Sequence, residues 1–117
     1  MICHAPTSIR AILLLTVAAF TSASAMADNY RVYIGTYTTG DSISKGIYTC
    51  SFDNETGKLT EPALAAELKN PSFLAIHPSG KFLFAVNEIS EGEGKGAGGV
   101  TALKINADGT LTEINHS

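Results

Sequence analysis

One sequence unit is written twice in this chain, and its spacing narrows the available folds more than any single motif does. Gly46-Ile47-Tyr48-Thr49-Cys50-Ser51-Phe52, followed by Gly57-Lys58-Leu59-Thr60-Glu61, returns as Gly99-Val100-Thr101-Ala102-Leu103-Lys104-Ile105, followed by Gly109-Thr110-Leu111-Thr112-Glu113. Upstream of each copy, Val32-Tyr33-Ile34-Gly35-Thr36-Tyr37 matches Leu83-Phe84-Ala85-Val86-Asn87-Glu88. The period of about 52 residues is close to the longer repeats that build rings of small sheets.

The second copy is the fuller one. Phe73 to Ile76 and Phe82 to Val86 are apolar runs too short for helices. His77-Pro78-Ser79-Gly80 joins them with turn chemistry, proline setting one backbone angle and glycine taking the positive φ that reverses the chain. The pattern predicts strands over 72–77, 82–88, 99–106 and 110–114, labelled A to D from hub to rim. Strands A and B are apolar throughout and are expected to be covered on both faces. Strand C places Thr101, Leu103 and Ile105 on one side and Lys104 on the other, and D is the most polar.

The first copy predicts B over 30–38, C over 46–52 and D near Leu59, where Pro62 suits an outermost edge because its missing N–H breaks no ladder bond. Nothing before Tyr30 reads as its A strand. A hub-to-rim rise in polarity is what radially packed four-stranded sheets require, so the fold class is all-β and the architecture a β-propeller. The folded part, residues 28–117, then holds strands B–D of a first blade and A–D of a second. It is expected to open a longer protein and to be unstable alone, since each blade buries its faces against neighbours.

Residues 1–27 read as a secretory leader, with Arg10, an apolar run from Ala11 to Phe20, and Ala25-Met26-Ala27 at the cleavage position. Ala23-Ser24-Ala25 is a second cleavage pattern, and a true start at Met26 would instead leave the protein cytoplasmic. The apolar run is too short to span a bilayer, so no membrane association is expected after its removal. Of the 2 cysteines, Cys3 leaves with the leader and Cys50 remains without a partner for an internal disulfide. Charge is 8 basic against 11 acidic residues; without Arg10 it is 7 against 11, or −4. Nothing in that balance invites nucleic acid.

Several segments together resemble one family. They are Tyr33-Ile34-Gly35-Thr36-Tyr37-Thr38, Lys45-Gly46-Ile47-Tyr48, Asn70-Pro71-Ser72-Phe73-Leu74-Ala75-Ile76-His77-Pro78 and Phe84-Ala85-Val86-Asn87-Glu88. In order and spacing they resemble the N-terminal part of the seven-bladed propeller lactonases of the 6-phosphogluconolactonase type. The resemblance covers nearly all of the chain after the leader. It implies a sugar lactone as the small-molecule partner, hydrolysis of 6-phosphogluconolactone to 6-phosphogluconate in the oxidative pentose phosphate pathway, no redox cofactor, and a monomeric full-length protein. A related branch acts on muconate-type lactones, so the fold does not fix the substrate. The family's histidine and arginine contributors are expected beyond Ser117, which leaves the catalytic residues unknown and this chain inert by itself. The reading from another class is a non-catalytic exported propeller that binds carbohydrate or protein.

Strand polarity still marks one rim. Starts of A strands and ends of B strands share it, so Asn70, Ser72, Asn87, Glu88, Thr36 and Tyr37 are the substrate-pocket candidates. Glu88 closes an apolar strand, where a carboxylate could orient water or accept a sugar hydroxyl and burial would raise its pKa; alternatively it binds N–H groups of the next loop. Asn70 and Asn87 are as readily loop anchors. His77 falls at the opposite rim and reads as a turn residue, Cys50 as a packed thiol, and His116 has no assigned role. The loop from Ile89 to Gly98, with Glu91, Glu93 and Lys95, reads as a solvated connection, with closure over a ligand or a Lys95 contact to phosphate as the alternative. No spacing suggests zinc, and Glu91 with Glu93 is a weak calcium pattern.

Overall fold

The computed structural model describes residues 29–88 and 98–117. The leader over 1–27 and the loop residues Glu91, Glu93 and Lys95 lie outside them. Every element among the described residues is a strand: β1 (Asn29–Gly35), β2 (Gly46–Asp53), β3 (Lys58–Leu59), β4 (Ala63–Glu67), β5 (Pro71–Ile76), β6 (Phe82–Glu88), β7 (Gly98–Ile105) and β8 (Leu111–His116). They form two antiparallel sheets. One is the meander β5-β6-β7-β8, and in the other β2 lies between β1 and the pair β3 and β4.

The repeat in sequence is a repeat in register. Val32 stands opposite Cys50 where Leu83 stands opposite Leu103, and Gly35 opposite Ile47 where Val86 stands opposite Val100. The turns repeat as well: Gly57 at φ 70° donates its N–H to the Asp53 carbonyl at 2.8 Å, and Gly109 at φ 94° to that of Asn106 at 3.0 Å. Both lie in the left-handed region that glycine enters without a Cβ penalty.

Two boundaries differ from the sequence expectation. Strand B of the first copy ends at Gly35 rather than at 38, because Thr36 to Thr38 leave the ladder for side-chain partners. The Thr36 hydroxyl donates to the Gly46 carbonyl at 2.6 Å, and the Thr38 N–H donates to Asn70 Oδ1 at 2.8 Å. The D strand near Leu59 is interrupted rather than finished. Leu59 pairs with Phe52, the ladder lapses around Pro62, which has no N–H to give, and it resumes with Ala63 opposite Thr49.

The core lies where the two sheets meet. Ile47 from β2 and Ala65 from β4 pack with Leu83 and Ala85 from β6, Leu103 from β7 and Leu111 from β8. Burying a side chain such as Leu83, fully covered here, is worth about 1.5–3 kcal/mol. Polar bonds fix the register of one sheet on the other: the Tyr33 hydroxyl donates to the Gly109 carbonyl at 3.0 Å, and Arg31 Nη2 to that of Ala107 at 3.2 Å. Gly35 faces the Pro71 carbonyl so closely that a Cβ would collide with it.

Coverage of β5 and β6 on both faces, expected from their composition, is found on one face. Along β6, Leu83, Ala85 and Asn87 are buried while Phe82, Phe84 and Val86 are exposed. The second face has no sheet against it among the described residues, and Phe73 is 68% exposed there. Cys50 is buried with a free thiol, as a packing residue would be. His77 anchors the β5–β6 turn: its carbonyl accepts from Gly80 N at 2.8 Å, its Nδ1 accepts from Ser79 N at 3.2 Å, and Gly80 takes φ 69°.

Candidate functional site

The end of β1, the start of β5, the end of β6 and the start of β7 share one rim, because consecutive strands are antiparallel and β1 lies against β5. All six candidates are on it, and they divide into a buried support and an exposed cluster.

Asn70 is the centre of the support. It is 1% exposed, and it holds φ 43°, a region asparagine tolerates better than most residues. Its N–H donates to Thr38 Oγ1 at 3.1 Å, its Oδ1 accepts from the Thr38 N–H at 2.8 Å, and its Nδ2 donates to the Glu88 carbonyl at 2.9 Å. The hydroxyls of Thr38 and Thr39 add longer bonds to Oδ1 at 3.3 and 3.4 Å. One side chain thus ties the loop after β1 to the end of β6. Thr36 is half-buried and holds the same loop through its bond to Gly46.

Asn87 does similar work beneath Glu88. It is 3% exposed, its Nδ2 donates to the Lys69 carbonyl at 2.8 Å, and its Oδ1 accepts from the Thr101 hydroxyl at 2.7 Å. That bond uses the only proton on Thr101 Oγ1. The 2.8 Å contact between Thr101 Oγ1 and His116 Nδ1 therefore needs the proton on Nδ1, which sets the histidine tautomer. Both asparagines thus serve as loop anchors.

Tyr37 and Glu88 form the exposed cluster, with half-buried Ser72 beside them. The Tyr37 hydroxyl donates to Glu88 Oε2 at 2.7 Å, joining the first sheet's loop to the second sheet. The Ser72 hydroxyl is a second group that favours the charged form of the Glu88 carboxylate. The raised pKa expected for Glu88 is reversed. The Tyr37 hydroxyl first, and the Ser72 hydroxyl second, hold the carboxyl below its ordinary value, while desolvation opposes them weakly because Glu88 is exposed. The same contact pushes the Tyr37 phenol up, through its hydrogen bond to Glu88 and then the nearby charge. Neither sequence reading of the carboxylate foresaw these two hydroxyl partners.

Chemically, the arrangement presents an ionised carboxylate with lone pairs left for another donor. A low pKa makes it a weak base at neutral pH and keeps it from acting as an acid, so it suits holding a hydroxyl better than moving a proton. Among the described residues no three of His, Cys, Asp and Glu converge as a metal-ligand set.

Sequence reasoning missed Thr38, Thr101 and His116 as partners in this rim. Thr101 carried a signal, a hydroxyl among the apolar residues of its strand face. His116 lies beyond the matched repeat and carried none.

Comparison with known proteins accords with this architecture. The model of the family described as Lactonase, 7-bladed beta-propeller, matches residues 31–117. The 6-phosphogluconolactonase of Bacillus subtilis is 40% identical over 88 residues, covering 74% of this chain and 23% of that protein. Among solved structures, a candidate 6-phosphogluconolactonase of Bacteroides fragilis is 39% identical with a TM-score of 0.63, over 75% of this chain and 23% of that one. The periplasmic gluconolactonase of Pseudomonas aeruginosa is 34% identical with a TM-score of 0.67, over 76% and 24%. The chain thus spans about a quarter of the length of these relatives. With most of its length matched by the family model, this chain belongs to the seven-bladed β-propeller lactonases.

Proposed function

We propose that this chain supplies the opening two blades of an enzyme that hydrolyses a sugar lactone, and that its exposed rim cluster grips a hydroxyl of the substrate. The observation that carries the reading is Glu88, held ionised by Tyr37 and Ser72 at the rim, in a chain whose relatives are named as lactonases. Those names favour an enzyme over a non-catalytic carbohydrate- or protein-binding propeller.

Ring opening needs a water or nucleophile to add to the carbonyl, donors for the developing oxyanion, and a proton for the departing alkoxide. Glu88 supplies none of these. Its part is to accept a hydrogen bond from a sugar hydroxyl while Asn70 and Asn87 hold the rim in place. The catalytic groups come from other blades, and the chain by itself is inactive.

6-Phosphogluconolactone, opened to 6-phosphogluconate in the pentose phosphate pathway, is the first substrate to test. The leader and the periplasmic gluconolactonase relative support export, and a phosphorylated pathway intermediate is normally cytosolic, so gluconolactone is the comparison. The test measures acid release from both lactones by the full-length protein, and by its Glu88→Gln variant. Losing a charge-assisted hydrogen bond of about 1.5–3 kcal/mol should raise KM by about 10- to 100-fold with kcat little changed. Turnover of neither lactone would sink the enzyme reading, and an unchanged KM would remove Glu88 from the site.

A further inference from the structure

The loop after β1 is held at more points than its attachment requires, and the extra point is an aromatic ring. Thr36 Oγ1 donates to the Gly46 carbonyl at 2.6 Å, the Thr38 N–H to Asn70 Oδ1 at 2.8 Å, and Ser42 Oγ to the Tyr37 carbonyl at 2.7 Å. These three bonds fix the backbone on both sides of Tyr37. Its hydroxyl, donating to Glu88 Oε2 at 2.7 Å, then fixes the side chain. The ring nevertheless stays 56% exposed and takes no part in the cluster of described residues where the sheets meet. Tyr33 is the contrast. Its hydroxyl is also bound, to the Gly109 carbonyl, but its ring is half-buried and packs against that cluster.

A phenol O–H lies in the plane of its ring, so Glu88 is met at the ring's edge and the bond leaves the faces uncovered. Tyr37 also stands beyond the end of β1, at the rim, and not on the face of either sheet. A tyrosine held in this way offers rigid amphipathic area with little rotamer entropy left to lose on binding. Its faces carry the negative part of the ring quadrupole, which suits C–H groups made slightly positive by neighbouring oxygens. The carbons of a saturated, hydroxylated six-membered ring present such C–H groups on a face and hydroxyls around the edge. A sugar lying on Tyr37 therefore turns an edge hydroxyl toward the Glu88 carboxylate, an acceptor with lone pairs to spare.

We propose that the exposed face of Tyr37 is a stacking platform for the C–H face of a saturated, hydroxylated lactone ring, with Glu88 receiving a hydroxyl at that ring's edge. The sugar-lactone class rests on the lactonase reading, whereas the seat on Tyr37 rests on the ring's exposure and its four anchoring bonds. The phenol thus has two parts to play: its hydroxyl orients the carboxylate, and its face orients the substrate.

The test uses the full-length protein and D-glucono-1,5-lactam, a sugar ring without the labile ester of the lactone. Protein deuterated everywhere except at tyrosine is saturated at the tyrosine ring protons while the lactam is observed by NMR. Saturation should pass to the lactam protons of one ring face more than to those of the other. Tyr37→Phe with deuterated phenylalanine should remove that transfer with little change in affinity, because it keeps the ring and leaves Glu88 ionised at neutral pH. Tyr37→Leu should bind the lactam about 3- to 10-fold more weakly than Tyr37→Phe. A wild type that does not bind the lactam, or binds it without transfer from tyrosine, overturns the proposal. So does a leucine variant that binds as tightly as the phenylalanine one, or transfer that survives Tyr37→Phe. The wild-type transfer decides the matter even where the leucine variant fails to fold. Lactone turnover without transfer sinks this inference alone; transfer without turnover of any lactone sinks the enzyme reading and leaves Tyr37 as a sugar-binding residue.

Discussion

Replacing Asn70 separates two contributions that the structure places on one residue. In Asn70→Ala the Thr38 N–H and the Glu88 carbonyl both lose their partners. Leaving a buried polar group unsatisfied costs about 1–3 kcal/mol, and holding alanine at φ 43° adds about 1 kcal/mol. The expected loss is about 3–5 kcal/mol, since the two orphaned groups lie near the surface and recover part of their cost from water. Asn70→Gly loses the same hydrogen bonds without the backbone penalty, so it should be milder than alanine by about 0.5–1 kcal/mol. The assay is hydrogen exchange read by mass spectrometry on the full-length protein, following the peptide over residues 36–45 together with the urea midpoint. Both variants should speed exchange in that peptide, alanine more. A loss below about 1 kcal/mol for alanine, or a glycine variant no better than alanine, would refute the view that this residue clamps the rim through its side chain in a left-handed conformation.

Tyr37→Phe should raise the Glu88 pKa toward the ordinary glutamate value, because it removes the largest cause of the depression; a carboxyl-carbon NMR titration that shows no change would refute the contact. The sign for stability follows: a depressed folded-state pKa stabilises above the unfolded value and is lost as pH falls through the folded one, so the destabilisation by Tyr37→Phe should fade on acidification. Asp108, lowered chiefly by the Thr110 hydroxyl and then the Thr110 N–H, follows the same rule. The stability gap between wild type and Asp108→Asn should close as the pH falls below the ordinary aspartate value, and a gap constant in pH would contradict it. Leu83→Ala, at a fully buried position between the sheets, should cost about 2–5 kcal/mol by urea unfolding; a near-neutral effect would mean the sheets do not pack there.

Strand positions were legible because two signals agree, short apolar runs bounded by turn residues and the repeat of the whole unit. Phe82–Glu88 was anticipated to the residue, and the other second-copy strands to within one or two. The alternating burial along β6 was not legible, since Phe84 and Ala85 are both apolar and composition cannot say which face a neighbouring sheet covers. The resumed strand β4 was missed for a related reason. Proline marks where a ladder lapses, but not whether the chain beyond it returns to the same partner.

The error at Glu88 has a different source, and it bears most on function. Reasoning along the strand placed a carboxylate after an apolar run and inferred burial, hence a raised pKa. What sets the charge is a residue 51 positions away, Tyr37, which reaches Glu88 because Asn70 folds the loop after β1 over the start of β5. Glu88 sits at the edge, where water solvates the ion and two hydroxyls stabilise it further, so the ionised form wins. A general acid would need the opposite setting, a dry pocket without donors. The rim built here fixes a negative acceptor in position, a setting that suits accepting a hydrogen bond better than supplying or removing a proton.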